Sequence, residues 1–117
     1  MKYKVTKEFK FESAHQLAHL PACHKCSRLH GHSYRFSVEV IGDVDERGFV
    51  IDYAEISDAV DPIVARLDHR NLDEIFDFYT TAENLAKWLF DEISKSIPVS
   101  AIVFYETAKT SVVYPIK

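Results

Sequence analysis

Cys26, His30 and His32 stand together in the stretch Cys-Ser-Arg-Leu-His-Gly-His. Imidazole and thiolate are the protein ligands zinc prefers, and three protein ligands with one open position mark a catalytic rather than a structural site. A further imidazole is available from His15. The odd positions Tyr3, Val5, Phe9 and Phe11 are apolar, with Lys7 the exception, and alternate with Lys4, Thr6, Glu8, Lys10 and Glu12. That is a strand with one buried face, and the same parity carried through Ser13 puts His15 on that face. His30 and His32 share a face by the same rule, since residues at i and i+2 of a strand project together. His15, His30 and His32 are therefore the expected metal ligands, with Zn2+ as the cofactor.

A rival ligand set is Cys23-x-x-Cys26 with His30 and His32, the composition of a structural zinc site. Its spacing is poor, because finger-type pairs are separated by about a dozen residues and their histidines by at least three. If the histidines hold the metal, Cys26 is free for proton transfer or nucleophilic attack. Positive charge from a metal, Lys25 and Arg28 favours the reactive thiolate. The adjacent pair Asp68-His69 suits a carboxylate that orients an imidazole, or a helix end capped for dipole reasons. Glu106 closes an otherwise apolar run, as a solvated strand end or as a buried acceptor for ligand N–H groups.

The elements that must position these groups read in order. Residues 3–15 form the first strand, residues 16–29 a polar loop without period, and His30 to Val40 a second strand. The Asp52/Glu55 spacing predicts a helix start, with Ile56, Val60, Ile63, Val64 and Leu67 as its apolar stripe and a kink or break at Pro62. A second polar loop follows from Asp68. Thr80 with Glu83, or Thr81 with Asn84, then caps a helix bearing Leu85, Trp88, Leu89 and Ile93. Residues 101–106 and 111–116 form two strands joined by a hairpin at residues 107–110. This order predicts one α+β domain over residues 1–117, a four-stranded antiparallel sheet with both helices on one face. The exposed sheet edges predict a closed homo-oligomer.

The net charge of −4 and the lack of a Lys/Arg cluster speak against nucleic acid as a partner and favour a small substrate. Apolar residues at 47% and charged residues at 27% are those of a globular domain, and no apolar run reaches membrane-spanning length. The N-terminal residues lack a signal-peptide core, so a cytoplasmic location is expected, with no membrane partner. Cys23 and Cys26 close almost no loop, which argues against a stabilising disulfide.

Cys26-x-x-x-His30-Gly31-His32 resembles the 6-pyruvoyltetrahydropterin synthase superfamily, specifically the bacterial 6-carboxytetrahydropterin synthase branch of queuosine biosynthesis. Residues 11–15, 24–32, 51–53, 67–69, 81–86 and 105–107 all resemble its motifs, in the same order. The resemblance implies a tunnelling fold, with subunits joined as a homohexamer of two trimers and sites at subunit interfaces. It implies His15, His30 and His32 as zinc ligands and Cys26 as the catalytic cysteine. Asp68 and His69 would be proton-relay partners, Glu106 the anchor of the pterin ring, and Thr81 and Thr107 pterin contacts. The implied reaction converts 7,8-dihydroneopterin triphosphate to 6-carboxy-5,6,7,8-tetrahydropterin, releasing acetaldehyde and triphosphate. Ser33 after His-Gly-His and the compact length favour this branch over the pyruvoyl one. Two alternatives stand: pyruvoyltetrahydropterin synthesis, and a non-catalytic zinc-stabilised binding module built on Cys23, Cys26, His30 and His32.

Overall fold

The computed structural model describes residues 1–117. Two long strands form its spine, β1 (Tyr3–His15) and β2 (His30–Gly42). They pair antiparallel without a bulge, from Tyr3 opposite Gly42 to His15 opposite His30. Unbroken pairing preserves the period of two, so the alternation read from the sequence carries through to His15, which is fully buried. Lys7, the exception to the alternation, is half-buried and its ammonium donates to Ser57 Oγ on the helix that covers the strand.

Beside β2 lies β4 (Ala101–Thr107), and beside that β5 (Thr110–Tyr114), joined by a turn whose hydroxyls, Thr107 and Thr110, lie 2.7 Å apart. The sheet has a fifth member. Arg70–Asn71, here β3, pairs parallel with Ser13 and Ala14, giving the order β3-β1-β2-β4-β5. The expected four-stranded sheet thus gains a two-residue edge, too short to show any alternation.

Three helices accompany the sheet: α1 (Tyr53–Leu67), α2 (Leu72–Ile75) and α3 (Ala82–Ile93). Asp52 caps α1 by accepting from Ala54 N–H, while Glu55 reaches Arg47 at 3.6 Å rather than closing a reciprocal box. The break expected at Pro62 does not occur. Pro62 lies on the exposed side of α1, as does Asp58, whose carbonyl the proline leaves without its helical donor. Ile56, Val60, Ile63 and Leu67 are buried against the sheet, and at roughly 1.5–3 kcal/mol each they outweigh the roughly 3 kcal/mol cost of the proline.

Thr81, not Thr80, caps α3, its hydroxyl accepting from Asn84 N–H at 3.3 Å. Thr80 is buried and has another task, described below. The polar loop expected after Asp68 instead holds β3 and α2, a single helical turn. Leu85, Ala86, Leu89 and Ile93 of α3 join the same core as α1 and the inward residues Phe11, Tyr34, Phe36, Val38, Ile102 and Phe104. The long helices therefore cover one face of the sheet, and the buried residues of β1 and β2 lead straight to the histidines at one end.

Candidate metal centre and active site

His15, His30 and His32 come together on the helix-covered side of β1 and β2, with one nitrogen of each within 4.8 Å of the others. The hydrogen bonds on the far side of two rings fix their tautomers. His15 Nδ1–H donates to Thr80 O at 2.8 Å, and His30 Nδ1–H to Arg28 O at 2.7 Å. A carbonyl can only accept, so both protons sit on Nδ1 and both Nε2 atoms present lone pairs. Those Nε2 atoms lie 3.0 Å apart. Two facing lone pairs at that distance repel unless a cation or proton lies between them, and tetrahedral zinc with bonds of 2.0–2.1 Å would place them about 3.3 Å apart.

His32 Nε2 completes the group, buried and without a hydrogen-bond partner. Burial pushes its pKa below the usual histidine value; Glu106 opposes the shift, while His15 and His30 add to it. The neutral ring, the form that can bind a metal, is thereby favoured. The residues present thus fit a metal ion. Glu106 faces them, with one carboxylate oxygen 3.9 Å from His15 Nε2 and the other 3.9 Å from His32 Nε2. These separations exceed a hydrogen bond, so Glu106 stands across from the nitrogens rather than in contact with them.

Cys26 lies in a short 3-10 turn, Lys25–Ser27, that leads into β2. The turn is tied down locally. His24 accepts from Cys26 N–H at 3.1 Å, Leu17 N–H donates to Cys26 O at 2.8 Å, and Gln16 Nε2–H donates to Ser27 O at 2.8 Å. Both cysteines are free thiols, Cys26 half-buried and Cys23 exposed. Neither joins the imidazole group, so the ligand set of Cys23, Cys26, His30 and His32 is not assembled. Strand pairing explains this, since His15 sits directly opposite His30 and takes the third place.

Asp68 and His69 lie at the β1 edge. Asp68 accepts from Glu12 N–H at 2.8 Å and from His69 Nδ1–H at 2.9 Å, and these bonds hold its pKa below the usual carboxylate value, the Glu12 bond foremost. His69 has φ of 57°, left-handed backbone that a side chain adopts at a cost, and its own N–H is fixed on Glu12 O at 2.6 Å. With Nδ1 engaged, His69 presents Nε2 to solvent. It opens on a surface cavity of about 530 Å³ whose other walls include Glu12, Gly31 and Ser33. Although His69 and His32 both line that cavity, within the chain neither Asp68 nor His69 contacts the three imidazoles. Nor do Thr81, at the start of α3, and Thr107, at the exposed end of β4 next to Glu106.

The sequence matches the family described as 6-pyruvoyl tetrahydropterin synthase over residues 4–116. The chain belongs to that family. Its relatives carry different activities in their names. A dihydroneopterin monophosphate aldolase from Pyrococcus furiosus is 36% identical over 84% of this chain and 81% of its own length. A 6-carboxy-5,6,7,8-tetrahydropterin synthase from Synechocystis is 38% identical over 79% of this chain and 75% of its own. A human 6-pyruvoyl tetrahydrobiopterin synthase is 30% identical over 95% and 90%. Among solved structures, the Caenorhabditis elegans 6-pyruvoyl tetrahydropterin synthase superposes with a TM-score of 0.89 and 26% identity, covering 100% of this chain and 97% of that one.

The fold is thus the tunnelling fold of the pterin synthases, α+β with a mostly antiparallel sheet. The hydrogen-bond partners of the imidazoles that sequence reasoning did not find are Thr80 and the carbonyl of Arg28. Thr80 was legible only as a helix cap. A backbone carbonyl leaves no trace in the residue type that carries it.

Proposed function

We propose that the protein is a zinc-dependent lyase that converts 7,8-dihydroneopterin triphosphate to 6-carboxy-5,6,7,8-tetrahydropterin, acetaldehyde and triphosphate, with uptake of one water, in queuosine biosynthesis. The observation that carries this reading is the pair of Nε2 lone pairs on His15 and His30, joined by the unpartnered His32 Nε2 and faced by Glu106. Cys26 four residues before His30, and Ser33 directly after His32, support the carboxy branch among the activities named for the relatives.

His15, His30 and His32 would hold the zinc, whose Lewis acidity makes the substrate's C–H bonds beside its bound oxygens easier to ionise. Glu106, an acceptor-only carboxylate when ionised, would take N–H groups of the pterin and set the ring's position. Thr81 and Thr107 would add polar contacts to the ring. Cys26 would move a proton as thiolate and thiol. His69 would move another through Nε2, with Asp68 holding Nδ1–H in place. Oxidation of the pterin's substituent balances reduction of its ring, so no nicotinamide enters. The exposed Lys25 and Arg28 beside Cys26 suit the triphosphate.

Within one subunit Asp68 and His69 stand apart from the imidazoles, which supports sites completed between subunits of a homohexamer built from two trimers. The location would be cytoplasmic; no helix is long and apolar enough to cross a membrane. The test is incubation of purified protein with dihydroneopterin triphosphate and mass analysis of products. Acetaldehyde and carboxytetrahydropterin are expected. Pyruvoyltetrahydropterin would assign the sister synthase activity, and turnover of the monophosphate alone would assign the aldolase activity.

A further inference from the structure

Asp73, on α2, uses both carboxylate oxygens. Oδ1 accepts from the Thr80 hydroxyl at 2.9 Å, and Oδ2 accepts from Gln16 N–H at 2.7 Å. Each partner leads to a different part of the site. Thr80 is fully buried, and both its oxygens face His15 Nδ1, the carbonyl at 2.8 Å and the hydroxyl oxygen at 3.2 Å. Because the Thr80 hydroxyl proton is committed to Asp73, its oxygen meets the His15 N–H as an acceptor. Gln16 directly follows His15 and holds the other branch. Its side-chain amide donates to Ser27 O at 2.8 Å, and the neighbouring Leu17 N–H donates to Cys26 O at 2.8 Å.

We propose that Asp73 is a positioning residue that holds the metal ligand His15 through Thr80 with one oxygen, and the turn bearing Cys26 through Gln16 with the other. The proposal rests on the three-histidine zinc site of the preceding reading. An outer carboxylate that reaches a metal-binding imidazole fixes its tautomer and raises its basicity, and loss of such a partner weakens metal binding by about 10–100-fold. Here the reach is relayed through a threonine, and the same carboxylate restrains the thiol-bearing turn. Ligand and thiol would therefore keep a fixed relation whenever α2 is docked.

The test uses the full-length protein in a Cys23→Ser background, so that Cys26 is the single thiol. Zinc affinity is measured by chelator competition, and the rate of Cys26 alkylation by iodoacetamide is measured at saturating zinc. Asp73→Ala is expected to weaken zinc about tenfold or more and to speed alkylation. Thr80→Val should weaken zinc alone, and Gln16→Ala should speed alkylation alone. Asp73→Asn should keep the thiol protected and weaken zinc: its amide oxygen can still accept from Gln16 N–H, but no charge remains for the Thr80 arm. General loosening of the fold would move both readouts in all four variants.

The proposal is overturned if Asp73→Ala leaves both readouts at wild-type values, or if Thr80→Val and Gln16→Ala each change both alike. Should Asp73→Ala not fold, the two single-arm variants decide. Failure of the parent protein to bind zinc would instead overturn the metal site itself.

Discussion

Replacing His15 by alanine should destabilise the protein markedly with or without zinc, whereas His30→Ala should cost little unless zinc is present. The two residues are joint ligands of the proposed zinc, but their surroundings differ. His15 is completely buried and its Nδ1–H satisfies the carbonyl of a completely buried threonine, while the His30 bond to Arg28 O lies near solvent. Truncation at His15 leaves the Thr80 carbonyl without its donor, at about 1–3 kcal/mol, and opens a cavity worth about 1 kcal/mol more if the neighbours relax in part. Water entering the polar cavity offsets some of this, giving a net loss of about 2–3 kcal/mol. At His30 water replaces the lost donor, and the cost stays below about 1 kcal/mol. Urea unfolding in the presence of a chelator reads this difference as a midpoint shift of about 1–2 M for His15→Ala and a small one for His30→Ala. Zinc at a thousandfold excess over Kd then stabilises the parent by about 4 kcal/mol and neither variant. Equal stability of the two variants in chelator would refute the buried-bond argument. Zinc stabilisation persisting in His30→Ala would refute the three-histidine site.

Cys26→Ala should retain zinc at parent stoichiometry by metal analysis and lose about 10²–10⁴-fold in turnover, the range of a lost general acid or base; loss of zinc would instead make the thiol a ligand. Lys25→Ala or Arg28→Ala should raise KM for the triphosphate about tenfold at nearly constant kcat in steady-state assays, because an exposed cation that meets phosphate contributes similarly to ground and transition states. Asp68 has a depressed pKa in the folded protein, so the stability it contributes is fully present above the unfolded carboxylate value of about 3.9 and is lost as pH falls through the folded value. The difference in urea midpoint between parent and Asp68→Asn should accordingly stay constant from neutral pH down to that range and shrink below it. A difference that grew on acidification would contradict the hydrogen bonds from Glu12 and His69.

What was legible in the sequence follows from periodicity. A strand of 13 residues with one buried face repeats its signal often enough to fix which way each side chain points, and this is why the inward projection of His15 is readable from residue types alone. The long helices were legible for the same reason, through the buried Ile56, Val60, Ile63 and Leu67 of α1 and Leu85, Leu89 and Ile93 of α3, while Val64 and Trp88 of the expected stripes are half-buried. Short elements have no period, and β3 and α2 are hidden inside a stretch that looks like loop. They are nonetheless what brings Asp68, His69 and Asp73 to the end of β1. The Pro62 break failed as an expectation because the cost of a helix proline depends on which side of the helix it occupies, and on an exposed side the anchored stripe prevails. At the candidate site, the three histidines and the face they share were legible, but which ring nitrogen each presents was not. It depends on the Thr80 and Arg28 carbonyls, contacts made by backbone that every residue shares. The donor set of the candidate metal centre is therefore written in its histidines, and its geometry in the fold around them.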